Sequence, residues 1–335
     1  MDQTGSAGRS LPGARHPALG LALGGGAALG LAHIGVLRVL ERAGLQPAVV
    51  SGTSMGAVVG AAYAAGKLDV LEALARAVNW RHVLKMTDFQ LGGNGVLEGR
   101  AIVSELRRYF GNQRIDTLPL PFAAVATDLL TGDAWTATGG DLVTAIRASI
   151  SLPAIFKPVP LGERLLVDGG LVANVPVAAA RSLGAEIVLG VDVTADFDGV
   201  ATTVGLRDHL LPEHQRRGHR ARLWAAIPRF LRGWPLIRRL RAWADEPSLL
   251  AVALSSSALM LRQASQLQNA SDPPELAITP RVGHIFHGEF SRAEELIRIG
   301  ADAMEQALPE LRALLDAGRL EPAPPADAGA AECRG

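Results

Sequence analysis

From residue 18 to about residue 317 the chain alternates short apolar or β-branched runs with longer stretches of helical periodicity. The short runs predict strands at Ala18–Leu23, Ala48–Ser51, Phe122–Thr127, Leu165–Val167, Glu186–Val193 and Leu276–Thr279. The longer ones predict helices at Leu29–Ala43, Met55–Ala65, Val70–Val78, Ile102–Phe110, Val175–Leu183 and Ser291–Ala317. Gly44 and Gly66 stand where helix C-caps are expected. Strands that alternate with helices imply an α/β fold: a mostly parallel central sheet covered by helices.

The ends and one internal segment break this pattern. Residues 1–15 are rich in Gly, Ser and Pro and are expected to be flexible, and residues 322–335 are Ala/Pro-rich and read as a disordered tail. Between them, residues 16–318 are expected to form one domain. Within it, residues 205–245 hold ten arginines, three acids and three of the five tryptophans, which marks a helical insertion beside the sheet. Its apolar residues Leu223, Ile227, Phe230, Trp234, Ile237 and Leu240 recur at three- and four-residue steps, with Pro228 and Pro235 dividing it into short helices. Such basic amphipathic pieces can make peripheral contact with an anionic membrane. A helical cap that packs on the core and solvates its basic face has the same spacing.

At 335 residues the chain can bury a large core, and 48% hydrophobic residues argue against disorder. The net charge of zero gives no global reason to expect nucleic acid as a partner. Cys333 is the single cysteine, so no intrachain disulfide can form, and the compartment leans to the cytosol. The uncharged stretch 18–32 carries five glycines and is better read as strand, turn and helix than as a signal peptide or membrane span.

Three motifs follow the predicted strands. Gly52-Thr53-Ser54-Met55-Gly56 matches the nucleophile elbow Gly-x-Ser-x-Gly, with Val49-Val50-Ser51 before it and the small-residue run Ala57–Ala65 after it. A sharp strand-to-helix turn exposes such a serine and presents helix N-terminal N–H groups to developing negative charge. An ordinary turn with Ser54 as N-cap is the alternative. Gly24-Gly25-Gly26 and Gly30 follow the first strand, and their backbone N–H groups can converge on an anion. A dinucleotide fingerprint fits less well: the spacing Gly24, Gly26, Gly30 is one residue too long, and no ribose-binding acid ends the second strand. Asp168-Gly169-Gly170 places a carboxylate at the end of an apolar run, where a solvated Asp-Gly turn is the competing reading. No His/Cys ligand spacing or calcium-type loop is present, so no cofactor or metal is expected.

In this order the three motifs resemble the patatin-like phospholipases, most closely the short single-domain bacterial members. Gly30–Leu37, Thr127-Asp128-Leu129 with Gly132, and Arg147–Phe156 are similar to further blocks of that family. The likeness is strong over residues 17–195 and weaker over 275–305. It departs at Ala27, where the family often has glycine. The resemblance implies a three-layer α/β/α fold and a serine acyl hydrolase of phospholipase A or lysophospholipase type. It also implies a Ser-Asp dyad with Ser54 as nucleophile and Asp168 as base. The oxyanion donors would be the N–H groups of Gly25 and Gly26, with that of Met55. No histidine has a triad-like context: His33 reads as a packed or capping residue, and His284 and His287 are the alternative bases. An aspartate with an ordinary pKa of about 3.9 must be desolvated to serve as base. A non-catalytic membrane-associated protein that keeps the fold is the alternative function. Head group, acyl chain and oligomeric state are left open.

Overall fold

The computed structural model describes residues 17–77, 97–153, 155–196 and 249–318. The predicted insertion at 205–245 and the two terminal segments lie outside the described residues. Eight strands form one mixed sheet: β1 (Leu19–Leu23), β2 (Val49–Thr53), β3 (Phe122–Asp128), β4 (Ala134–Ala137), β5 (Val159–Leu161), β6 (Arg164–Asp168), β7 (Ile187–Val191) and β8 (Leu276–Ile278). Their order is β5-β6-β3-β2-β1-β7-β8, with β4 also paired to β3. From β3 to β8 across the centre every pairing is parallel, whereas β4, β5 and β6 are antiparallel.

The helices are α1 (Ala32–Arg42), α2 (Met55–Ala64), α3 (Leu68–Ala77), α4 (Arg100–Phe110), α5 (Leu142–Ser149), α6 (Val177–Ser182), α7 (Leu249–Ser271) and α8 (Ala293–Gly318). Strand alternation decides which layer each residue meets. In β1, Leu19, Leu21 and Leu23 join the large core built with α1, α2 and α8, while Ala22 packs with Val175, Val177, Ala180 and Val188 beneath α6. The result is the three-layer α/β/α fold that the resemblance implies, built on the mostly parallel sheet that the alternating pattern predicts. Because β1, β2, β3 and β7 are buried on both faces, their sequences read as unbroken apolar or small runs.

Several elements escape the pattern, α5 among them. β4 and β5 are short and partly exposed, so they lack a clear apolar face. The first helix begins as a 3₁₀ turn at Ala27–Leu31, with α1 starting only at Ala32. Another is α7, a 23-residue helix that packs against the turn after β6.

Candidate active site

Ser54 sits between β2 and α2 with φ 53° and ψ −121°. This left-handed φ costs a non-glycine residue free energy and is held only by surrounding structure. Glycines make the turn possible by close approach. A Cβ on Gly52 would lie 2.3 Å from the Gly56 carbonyl oxygen, and one on Gly56 would lie 2.1 Å from that of Leu23. The Ser54 N–H donates to Ser149 Oγ at 2.8 Å, and the Ser149 hydroxyl donates to the Val125 carbonyl at 2.6 Å. The elbow is therefore pinned to β3 through the end of α5.

Asp168 reaches the same level of the sheet from the opposite direction. β6 runs antiparallel to β3 with Asp168 opposite Ala126, while β2 runs parallel to β3 with Thr53 opposite Val125. Register, rather than a shared strand direction, thus brings Asp168 alongside Ser54. The Asp168 N–H donates to the Ser151 carbonyl at 3.0 Å and its own carbonyl accepts from Thr127 Oγ1 at 2.9 Å. One carboxylate oxygen accepts from the Gly170 N–H at 2.8 Å.

The Asp168 side chain is fully buried. Burial pushes its pKa up from 3.8 to about 6, against the opposing hydrogen bonds from Gly170 N–H and the Ser54 hydroxyl. Leu261 of α7 helps exclude water: a Cβ on Gly170 would lie 2.2 Å from Leu261 Cδ2 and 3.1 Å from Asp168 Oδ1.

The glycine loop lies against the elbow, where a Cβ on Gly25 would come 3.1 Å from Ser54 Cβ. Its backbone is anchored on both sides. Gly24 donates to Val191 O at 2.9 Å and accepts from His33 Nε2 at 2.7 Å. The Gly25 N–H is already engaged, shared between Asn174 Oδ1 at 3.2 Å and Asn174 O at 3.3 Å. The N–H groups of Gly26, Ala27 and Met55 have no acceptor among the described residues. Ala27 has φ 50°, so the position at which glycine is often found holds a side chain in the left-handed region.

The histidines stand apart from this chemistry. His33 is fully buried, is pushed down to a pKa of about 4 by burial, and spends its one N–H on Gly24. His284 is half-exposed and faces Glu295 at 3.4 Å. The His287 ring is buried with its pKa lowered to about 4, and its carbonyl accepts from the Ala28 N–H. None of the three hydrogen-bonds Ser54. Ser149, Ser151 and Asn174 were not singled out by sequence reasoning. The only signal for the two serines was their place in the Arg147–Phe156 block, and Asn174 had none.

The family described as patatin-like phospholipase matches residues 21–181. An NTE family protein of Mycobacterium tuberculosis is 38% identical over 189 residues, which is 56% of this chain and 52% of that protein. A second from the same species is 32% identical over 304 residues, covering 88% and 47%. The patatin-like phospholipase domain-containing protein 6 of Mus musculus is 31% identical over 236 residues, covering 68% and 16%. The chain thus spans about half the length of the two mycobacterial relatives and a small part of the mouse protein.

Proposed function

Because this chain belongs to the patatin-like phospholipase family, we propose that it hydrolyses lipid carboxylic esters through an acyl-enzyme on Ser54, with Asp168 as the base. The observation that carries this reading is the pairing of a strained, partly buried serine with a fully buried aspartate whose pKa is raised to about 6. Its raised pKa makes Asp168 far more basic than a solvated carboxylate.

Ser54 Oγ attacks the ester carbonyl carbon as its proton passes to Asp168. The oxyanion that forms is held by the N–H groups of Gly26 and Met55, which lack acceptors among the described residues. The Met55 N–H also stands at the N-terminus of α2, where the helix dipole favours negative charge. Gly25, whose N–H is held by Asn174, serves by letting the loop approach Ser54 closely. Collapse expels the alcohol with the proton from Asp168. Water, deprotonated by Asp168, then attacks the acyl-enzyme, and collapse releases the fatty acid as the proton on Asp168 returns to Ser54 Oγ. Each oxyanion donor lowers the barrier by about 3–4 kcal/mol.

Phospholipids and lysophospholipids are the substrates we infer. No helix among the described residues is long and apolar enough to cross a membrane, and access to lipid is assigned to peripheral contact with an anionic surface through residues 205–245. Hydrolysis of a phosphatidylglycerol vesicle and of a short soluble ester is the test, run with wild type, Ser54→Ala and Asp168→Asn. Loss of both activities in both variants is expected. Wild-type rates in either variant would refute the dyad.

A further inference from the structure

We propose that Asn174 is a positioning residue that sets the oxyanion loop, linked through Thr194 to a buried carboxylate at Asp192. The inference rests on the reading of Ser54 as nucleophile. Asn174 is wholly buried in the turn between Gly170 and α6. Its side-chain oxygen and its carbonyl oxygen both face the Gly25 N–H, at 3.2 and 3.3 Å. A single donor held by two acceptors fixes the peptide plane between Gly24 and Gly25. The next two N–H groups along the loop, those of Gly26 and Ala27, are the ones without acceptors among the described residues.

The side chain is itself held from behind. Asn174 Nδ2 donates to Thr194 Oγ1 at 3.1 Å, and Thr194 Oγ1 donates to Asp192 Oδ1 at 2.7 Å. That carboxylate oxygen also accepts the N–H groups of Thr194 at 2.8 Å and Ala195 at 3.2 Å, and Oδ2 accepts the hydroxyl of Ser265 on α7. The acceptor at Asp192 dictates the direction of the Thr194 hydroxyl hydrogen. The hydroxyl oxygen is thereby left to receive Asn174 Nδ2, and the amide must then point its oxygen at Gly25. The chain of bonds settles the amide orientation as well as the contact. Because Ser265 lies four residues after Leu261 on the buried side of α7, the helix that dries Asp168 and the network that orients the loop share one support.

Asn174 touches no reacting atom, so its loss is expected to act on turnover more than on binding. Active sites are counted by fluorophosphonate titration, and kcat and KM are then measured on a soluble ester across pH 5 to 9. For Asn174→Ala we expect kcat per titrated site to fall 10- to 100-fold with KM within about 2-fold. Thr194→Val, which keeps Asn174 but removes its acceptor, is expected to lower kcat 3- to 10-fold, and Thr194→Ser to restore it.

Asn174→Asp retains the acceptor for Gly25 but adds a carboxylate close to Asp168, since a Cβ on Gly170 would lie 3.2 Å from Asn174 Oδ1 and 3.1 Å from Asp168 Oδ1. The groups facing Asp168 from the packed elements are the Gly170 N–H, the Ser54 hydroxyl and the apolar Leu261. The acid limb of kcat is therefore expected to move up by at least half a pH unit in Asn174→Asp. Wild-type kcat per titrated site in Asn174→Ala and Thr194→Val would overturn the inference while leaving the nucleophile intact. Absence of titration or turnover in the wild-type protein would overturn both.

Discussion

Replacing Asp168 by asparagine should abolish turnover and make the protein more stable at alkaline pH. The side chain is fully buried, and its pKa is about 6 in the folded protein against 3.8 for the solvated group. The folded state therefore binds this proton more tightly than the unfolded state does. The stabilising contribution of the protonated form is complete below pH 3.8 and is lost as pH rises through 6. At about 1.36 kcal/mol per pKa unit, the ionised carboxylate costs about 3 kcal/mol at pH 8. Asparagine has nearly the same shape, still accepts the Gly170 N–H, and carries no charge to desolvate. With an unfolding entropy of about 2.1 cal/mol/K per residue, the expected gain in Tm at pH 8 is about 4 °C, shrinking to about half at pH 5. Differential scanning calorimetry of the two proteins at pH 5, 6.5 and 8 reads this directly. A gain that does not depend on pH, or an Asp168→Asn protein less stable than wild type at pH 8, would refute burial as the cause of the raised pKa.

Other expectations follow from single residues. Wild-type kcat/KM on a soluble ester should fall on the acid side with a midpoint near pH 6, since Asp168 must be ionised to act as base; a midpoint near pH 4 would show a solvated carboxylate instead. Ser149→Ala removes the acceptor for the Ser54 N–H and the donor to Val125 O, and calorimetry should show a loss of about 1–3 kcal/mol, with a fall in kcat. Ala27→Gly relieves a left-handed φ of 50° and should raise stability by about 0.5–1 kcal/mol after the added freedom of the unfolded chain is counted, measured by denaturant unfolding. His33, with its folded pKa lowered to about 4 from 6.5, destabilises the fold as pH drops through that interval. Its ring resonances should accordingly stay those of neutral imidazole by NMR down to pH 5.

The mostly parallel sheet was legible because β1, β2, β3 and β7 are buried on both faces and so read as apolar or small runs. The Ser54 elbow was legible for a related reason: its turn demands glycine at 52 and 56, and that demand writes a pattern into the sequence. Asp168 was legible as a candidate but its route was not. That β6 enters antiparallel is a matter of register with β3, set by long-range pairing that no local pattern encodes. The supporting shell was least visible. Ser149, Ser151 and Asn174 act through one hydrogen bond or two each, and the residue type alone fits many local roles. The expected donor at Gly25 illustrates the same limit: glycine spacing places an N–H near the serine, while the partner of that N–H comes from a turn about 150 residues away.

The most direct test is reaction of the native wild-type protein with a fluorophosphonate probe at pH 7.5, followed by peptide mapping, with Asp168→Asn in parallel. Modification confined to Ser54 in wild type, and slowed at least 100-fold in Asp168→Asn, is the expected result. Labelling of another residue, or equal labelling of Ser54 in both proteins, would contradict a Ser54 nucleophile activated by Asp168.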